Sequence, residues 1–295
     1  MKSQTFNSPA KINLRLDILG KRPDGFHELR MIMVPITLYD VIHFEITHSK
    51  KIECDSNRKD LCGENNLMYK AVLLLQSKYK VLGNTGFKIF LEKNIPVGAG
   101  LGGGSGNAAT TILALNQLFN LNLTENTMAE LAAELGSDVP FFIYQKPAMV
   151  RGRGEKVTLL ENFPQFYCNL IYPNIAISTK KMYDAFDLEL TKKPHDDKNL
   201  RLFTQIKELE FTEYLKFFHN DFDNLCTSLY PEVAKVKDLL MKSHASHAMV
   251  SGSGSSVFGI YKTKEEQNKA YTWLQKNCKN NNYFIRSIET LGFGV

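Results

Sequence analysis

Between a short apolar segment and a run rich in alanine and leucine, the chain reads Ile95-Pro96-Val97-Gly98-Ala99-Gly100-Leu101-Gly102-Gly103-Gly104-Ser105-Gly106-Asn107. Six glycines fall between Gly98 and Gly106. Backbone without side chains lets phosphate oxygens reach main-chain N–H groups. A helix starting behind it adds unpaired N–H groups with partial positive charge. Each glycine loses more backbone entropy on folding than other residues, so such density is a poor way to build a plain connector. The expected chemistry is phosphate binding, with Ser105 and Asn107 able to add hydrogen bonds or oxygen ligands for a metal.

The kind of phosphate loop is narrowed by elimination. A Walker A loop needs a lysine directly after its last glycine, and none is present. Gly98, Gly100 and Gly103 match G-x-G-x-x-G, but a dinucleotide fold needs an acidic ribose partner about 20 residues on. No Asp or Glu occurs between Gly98 and Glu125. A protein-kinase loop would be accompanied by H-R-D and D-F-G, and neither triplet occurs.

Two other places carry candidate chemistry. In Lys11-Ile12-Asn13-Leu14-Arg15-Leu16-Asp17-Ile18, apolar residues alternate with polar ones. This predicts a strand with Ile12, Leu14, Leu16 and Ile18 facing a core and Lys11 and Asn13 sharing the opposite face. In Gly136-Ser137-Asp138-Val139-Pro140, Asp138 is either a helix N-cap or a carboxylate held at a helix N-terminus for proton transfer. Spacing alone favours the cap.

Around these positions the pattern predicts strands over 31–37, 41–47, 87–92, 167–172, 248–250, 256–261 and 283–288. Helices are expected over 66–80, 107–119, 180–189, 200–218, 232–242 and 264–276, with a polar loop over 191–199. Thr127 and Glu130 suggest a capping box. A texture change near Leu159–Pro164 suggests a linker. Strands and helices mix without regular βαβ alternation, so the fold class is α+β.

The 295-residue chain carries a net charge of +5 and five dispersed cysteines without a C-x-x-C pair. These features give no nucleic-acid signal and read as reduced thiols in a cytoplasmic protein. No apolar run approaches a membrane span, and the N-terminal residues show no apolar leader.

Pro96 to Gly106 resembles the ATP loop of the galactokinase, homoserine kinase, mevalonate kinase and phosphomevalonate kinase (GHMP) superfamily. Further blocks strengthen the likeness: Ser8-Pro9-Ala10-Lys11-Ile12-Asn13-Leu14, Arg22-Pro23-Asp24-Gly25-Phe26-His27-Glu28-Leu29, Leu135 to Phe142, Arg151-Gly152-Arg153-Gly154-Glu155, Asn220-Asp221-Phe222 and Val250 to Phe258. Together they are most similar to the branch that phosphorylates a cytidine-diphosphate-linked alcohol. The resemblance implies a two-domain fold, with a ribosomal protein S5 domain 2-like ATP-binding part over 1–160 and a ferredoxin-like part over 161–295. It also implies ATP and Mg²⁺ as cofactors.

The implied activity is phosphorylation of the 2-hydroxyl of 4-diphosphocytidyl-2-C-methyl-D-erythritol, a step in the non-mevalonate route to isoprenoid precursors. That small molecule is the implied partner, with no nucleic acid or membrane. The resemblance makes Asp138 the base and Lys11 its catalytic partner, and assigns the ATP loop to Pro96, Val97, Gly98, Ala99, Gly100, Leu101, Gly102, Gly103, Gly104, Ser105 and Gly106. Asn13, Phe26, His27 and Tyr183 are the implied substrate contacts, and Ser105 a candidate metal ligand. Phe26 stands where the family often has Tyr, and Gly106 where many members have Ser. Tyr183 remains equally readable as a core-packing helix residue, and the Ser251–Ser256 turn as a plain hairpin or a part of the cleft. Other kinases of the superfamily, a nicotinamide-dependent dehydrogenase and an RNA-binding module are the competing readings. Residues 22–27 speak against the first, the missing acidic partner against the second, and the lack of a basic, aromatic-interleaved block against the third.

Overall fold

The computed structural model describes residues 3–189 and 210–292. The loop expected over 191–199 and the first part of the helix expected over 200–218 lie outside the described residues. Within them, β1 (Ser3–Lys21) and β2 (His27–Thr47) pair antiparallel along almost their whole length. β2 is long enough to take two partners on its other edge. Leu29 to Met33 pairs with β5 (Ala148–Gly152), and Val41 to Thr47 with β4 (Gly86–Glu92). β3 (Ile52–Ser56), β6 (Lys156–Leu159) and the short β8 (His219–Asn220) complete a seven-stranded sheet.

The alternation in β1 holds, but the single face does not. A register shift between Asn13 and Arg15 inserts an extra residue. A bulge of this kind moves the following side chains to the other face. Ile12 and Leu14 therefore enter one core, while Leu16 and Ile18 enter the other and share a face with Lys11 and Asn13. A second shift between Pro9 and Ala10 explains why the strands expected over 31–37 and 41–47 are one bulged strand.

One face of the large sheet is covered by α1 (Leu67–Lys78), α2 (Gly103–Phe119), α3 (Glu125–Ala133) and α4 (Val139–Tyr144), whose apolar residues build the larger core. The capping residue of α3 is Thr124, not Thr127. Thr124 has extended backbone and its side chain accepts from Thr127 N, which puts the expected Thr127–Glu130 box inside the helix.

A second sheet, ordered β11-β7-β10-β9, comprises β7 (Tyr167–Tyr172), β9 (His247–Val250), β10 (Val257–Tyr261) and β11 (Phe284–Glu289). Between β7 and β9 the described residues include the longer helices α5 (Thr179–Glu189), α7 (Phe222–Leu229) and α8 (Pro231–Lys242). The short α6 (Phe211–Leu215) lies among them, and α9 (Lys264–Asn277) joins β10 to β11. All strand pairs in this sheet are antiparallel, which with this order is the ferredoxin-like split βαβ arrangement. The fold class is α+β, as the sequence implied. A second core joins this sheet to the uncovered face of the first, through Ile12, Val34 and Ile36 against Leu170, Phe258 and Ile260. Leu160 and Phe163, in the stretch expected as a linker, are buried in that core.

Candidate active site

Gly102 precedes α2 with a left-handed backbone (φ 68°), so the chain can turn from the loop into the helix, and no side chain caps the first N–H groups of α2. The helix begins at Gly103, four residues before its expected start. Ala99 and Leu101, which alternate with glycines, bury their side chains in the second core and anchor the loop from below. Only their main chain can meet a nucleotide.

The loop is also tied to the second half of the chain. Ser251 Oγ donates to Gly100 O at 3.0 Å, Ser256 N to Ala99 O at 3.2 Å, and Ile177 N to Gly98 O at 3.2 Å. The backbone approach at Gly100 is so close that a Cβ there would lie 2.0 Å from Ser251 O. The glycine–serine turn over Ser251–Ser256 is therefore a direct buttress of the phosphate loop, and Gly252 and Ser253 line the same cavity.

That cavity has a volume of about 890 Å³ and collects most of the residues expected from sequence. Lys11, Asn13, Phe26, His27, Asp138 and Tyr183 line it together with Pro96 through Ser105. Gly106 does not. It packs against β1, where a Cβ would lie 2.8 Å from Pro9 O, so it serves close helix–strand packing rather than the nucleotide.

At the centre, Lys11 is only 4% exposed and its ammonium donates to Asn13 Oδ1. Burial pushes the Lys11 pKa below its ordinary 10.5, and the opposing charge is that of Asp138. Asp138 occupies the N-cap position of α4, yet its side chain makes no capping hydrogen bond. The carboxylate is left facing the cavity, so the cap that spacing alone favoured is not formed.

At one end of the cavity, His27 stacks on Tyr183 with ring centroids 4.6 Å apart, and Tyr183 meets Phe222 edge-on at 4.9 Å. Tyr183 is thus both a packing residue and part of the cavity wall. Burial raises its phenol pKa. Asp187 of α5 bonds His27 Nε2 at 2.7 Å and accepts from Lys21 Nζ at 2.6 Å. These bonds, Lys21 first, hold the Asp187 carboxyl below the usual range. Phe26 is 51% exposed and presents its ring at the rim.

At the other end, Leu61, Asn65, Asn66 and Leu67 join Cys62. The Cys62 thiol donates to Asp55 Oδ1 at 2.9 Å, which raises its pKa and makes it a poor nucleophile. All five cysteines are free.

Several functional positions escaped the sequence reading. Asp40 is fully buried and accepts from Asn94 N and Ile95 N at 2.8 Å and from Lys93 Nζ, fixing the chain just before the loop. Lys93 lines the cavity beside Gly103, and burial lowers its pKa against the pull of Asp40. A lone aspartate in the apolar stretch Pro35 to Ile42 was the available signal for this pair. Asp187 and the 60–67 segment gave none.

A nucleotide-bound magnesium ion needs few oxygen ligands from the protein. Among the described residues, no group of three or more His, Cys, Asp or Glu could hold a metal by itself. Ser105 lines the cavity, and Asn107, also on its wall, has a buried Oδ1 without a hydrogen-bond partner. Such sparse hard-oxygen donors fit Mg²⁺, which takes most of its ligands from substrate phosphates and water.

A glycine loop opening a helix, a buried lysine opposite a free carboxylate, and a ferredoxin-like sheet buttressing the loop define a GHMP kinase, an ATP-using phosphotransferase. The GHMP kinases N terminal domain pattern matches residues 66–146, and the GHMP kinases C terminal pattern matches 203–280. The chain is 38% identical over 283 residues to the 4-diphosphocytidyl-2-C-methyl-D-erythritol kinase of Macrococcus caseolyticus, covering 96% of this chain and 98% of that one. It is 39% identical over 261 residues to the same kinase from Clostridioides difficile, covering 88% and 87%. A crystal structure of 4-(cytidine 5'-diphospho)-2C-methyl-D-erythritol kinase superposes with a TM-score of 0.79 at 28% identity, covering 98% of this chain and all of that one. A homoserine kinase from Cytophaga hutchinsonii shares the fold at TM-score 0.73 and 19% identity, over 99% and 96%. The chain belongs to the 4-diphosphocytidyl-2-C-methyl-D-erythritol kinase family.

Proposed function

We propose that the protein transfers the γ-phosphoryl group of ATP to the 2-hydroxyl of 4-diphosphocytidyl-2-C-methyl-D-erythritol, in the non-mevalonate supply of isoprenoid precursors. The observation that carries this reading is the placement of Lys11 and Asp138 in one cavity, between the phosphate loop and the His27–Tyr183 wall. Phosphoryl transfer asks for an aligned hydroxyl, a proton acceptor and positive charge where negative charge develops. Asp138 accepts the hydroxyl proton. Lys11, in a water-poor position, stabilises the carboxylate and the incipient alkoxide. The main-chain N–H groups from Gly98 to Ser105 and the start of α2 hold the nucleotide phosphates. Bound Mg²⁺ would neutralise charge on the phosphates, and Ser105 with Asn107 would help to hold it.

His27 and Tyr183, with Phe26 at the rim, take the cytidine end, where stacking supplies affinity and ring-edge hydrogen bonds supply base choice. Asn13 contacts the alcohol beside Lys11. Phe26 keeps the stacking face of the more usual Tyr and lacks its hydroxyl. We place the division between the ATP-binding and C-terminal domains at about residue 160. The five free thiols support a reducing, cytoplasmic setting. Among the described residues no helix is long and apolar enough to cross a membrane.

The test is to identify the product. Phosphorus NMR of the reaction mixture should show one new monophosphate ester coupled to C2 of the methylerythritol. A new phosphate on another carbon would displace Asp138 from its proposed role.

A further inference from the structure

The block Arg151-Gly152-Arg153-Gly154-Glu155 takes no part in the chemistry described above, yet the fold brings Arg153 to the cavity wall. Its position is defined on two sides. The guanidinium lies 4.8 Å from the centroid of the Phe26 ring. The next residue, Gly154, runs so close to the base that a Cβ there would lie 3.2 Å from Asp138 Oδ1. Arg153 thus stands between the aromatic rim and the carboxylate.

Its backbone is pinned as well, since Arg153 N donates to Glu155 Oε2 at 2.7 Å. Gly152 and Gly154, both with positive φ, form the turn that presents it. Arg15, Arg22, Arg30 and Arg58 are each salt-bridged to a carboxylate. Among the described residues no such bridge is formed by Arg153, which lines the cavity and reaches a carboxylate, that of Asp24, only through longer-range charge attraction. A planar guanidinium stacked on an aromatic face keeps its in-plane N–H donors available, and their fork matches phosphate oxygens two at a time.

We infer that Arg153 is a substrate-binding residue that clamps the diphosphate of the cytidine-diphosphate alcohol, with the Phe26 ring as the platform that orients its guanidinium. This rests on the substrate reading given above, and it adds a contact at the segment between base and alcohol. A diphosphate lying between the Phe26–His27 end and Asp138 has to pass the Arg153 donors. The stack also gives Phe26, without a hydroxyl, a second task besides facing the base.

The test compares two probes, CDP and cytidine, which differ only in the diphosphate. Their affinities are measured by calorimetry for the wild type, Arg153→Ala and Arg153→Lys, with ATP affinity as the control for an intact fold. Arg153→Ala is expected to weaken CDP binding at least tenfold while cytidine and ATP stay within twofold. Arg153→Lys should recover part of the CDP loss, because a point charge replaces a two-pronged donor. Unchanged CDP affinity in Arg153→Ala, or equal loss of CDP and cytidine, overturns the clamp, the second outcome leaving Arg153 as support for Phe26 alone. Failure of the wild type to bind either probe while it still binds ATP overturns the clamp together with the substrate reading.

Discussion

Replacing Lys11 with Met separates the chemistry of this site from its stability. The ammonium is almost wholly buried, donates to Asn13 Oδ1 and is balanced at a distance by Asp138. Removing one preorganised donor from a water-excluded site typically lowers kcat by 10²–10³, or about 2.7–4 kcal/mol. Two opposing effects act on stability. The substitution abolishes the burial of a charge, worth on the order of 1 kcal/mol or more. It also leaves Asn13 Oδ1 buried without its donor, which costs about 1–3 kcal/mol. Tm should therefore stay within about 5 °C of the wild type.

The pH dependence is more diagnostic. The folded-state pKa of Lys11 lies below 10.5, so between that value and 10.5 the unfolded chain binds more protons than the folded one. The destabilisation from Lys11 is full below its folded pKa and is relieved as pH rises towards 10.5. The stability difference between variant and wild type, from urea unfolding at pH 7 and at stepped alkaline values, should shift in favour of the wild type across that window. A kcat within tenfold of wild type would refute the electrostatic role of Lys11. A large fall in Tm at pH 7 would show that Lys11 is a structural residue.

Asp138→Asn should lower kcat by 10²–10⁴ with little change in the KM for ATP. Because Asp138 is what opposes the effect of burial on Lys11, residual activity should also be lost at a lower alkaline pH; near wild-type turnover would return Asp138 to a structural role. Asp187→Asn should raise the KM for the cytidyl substrate several-fold with the KM for ATP unchanged, since Asp187 holds the ring of His27; equal changes in both would argue against that role. Gly100→Ala places a Cβ 2.0 Å from Ser251 O at φ +75°, so Tm should drop by several degrees and the KM for ATP should rise. An unchanged Tm would mean that the contact between loop and turn is dispensable.

What was legible in the sequence was local. Glycine density marked the loop that opens α2 and lines the cavity, and alternation put Lys11 and Asn13 on one face. The expectation of one common core face for Ile12 to Ile18 failed at a bulge, because a single inserted residue reverses facing without leaving a mark in composition. Asp187 was not legible because its partners, Lys21 and His27, lie about 160 residues away. The same holds for Ser251 on Gly100, where a plain hairpin and a loop buttress have the same glycine–serine pattern. Gly106 was misread because loop glycines that face a ligand and those that let a helix touch a strand look alike until the neighbours are known.

Phosphoryl transfer at the Lys11–Asp138 pair to an alcohol chosen at the His27–Tyr183 wall is the central proposal. Its most direct test is ATP-dependent ADP release, measured side by side with 4-diphosphocytidyl-2-C-methyl-D-erythritol, homoserine and mevalonate. Turnover is expected with the cytidyl alcohol alone. Turnover with homoserine or mevalonate and none with the cytidyl alcohol would contradict it.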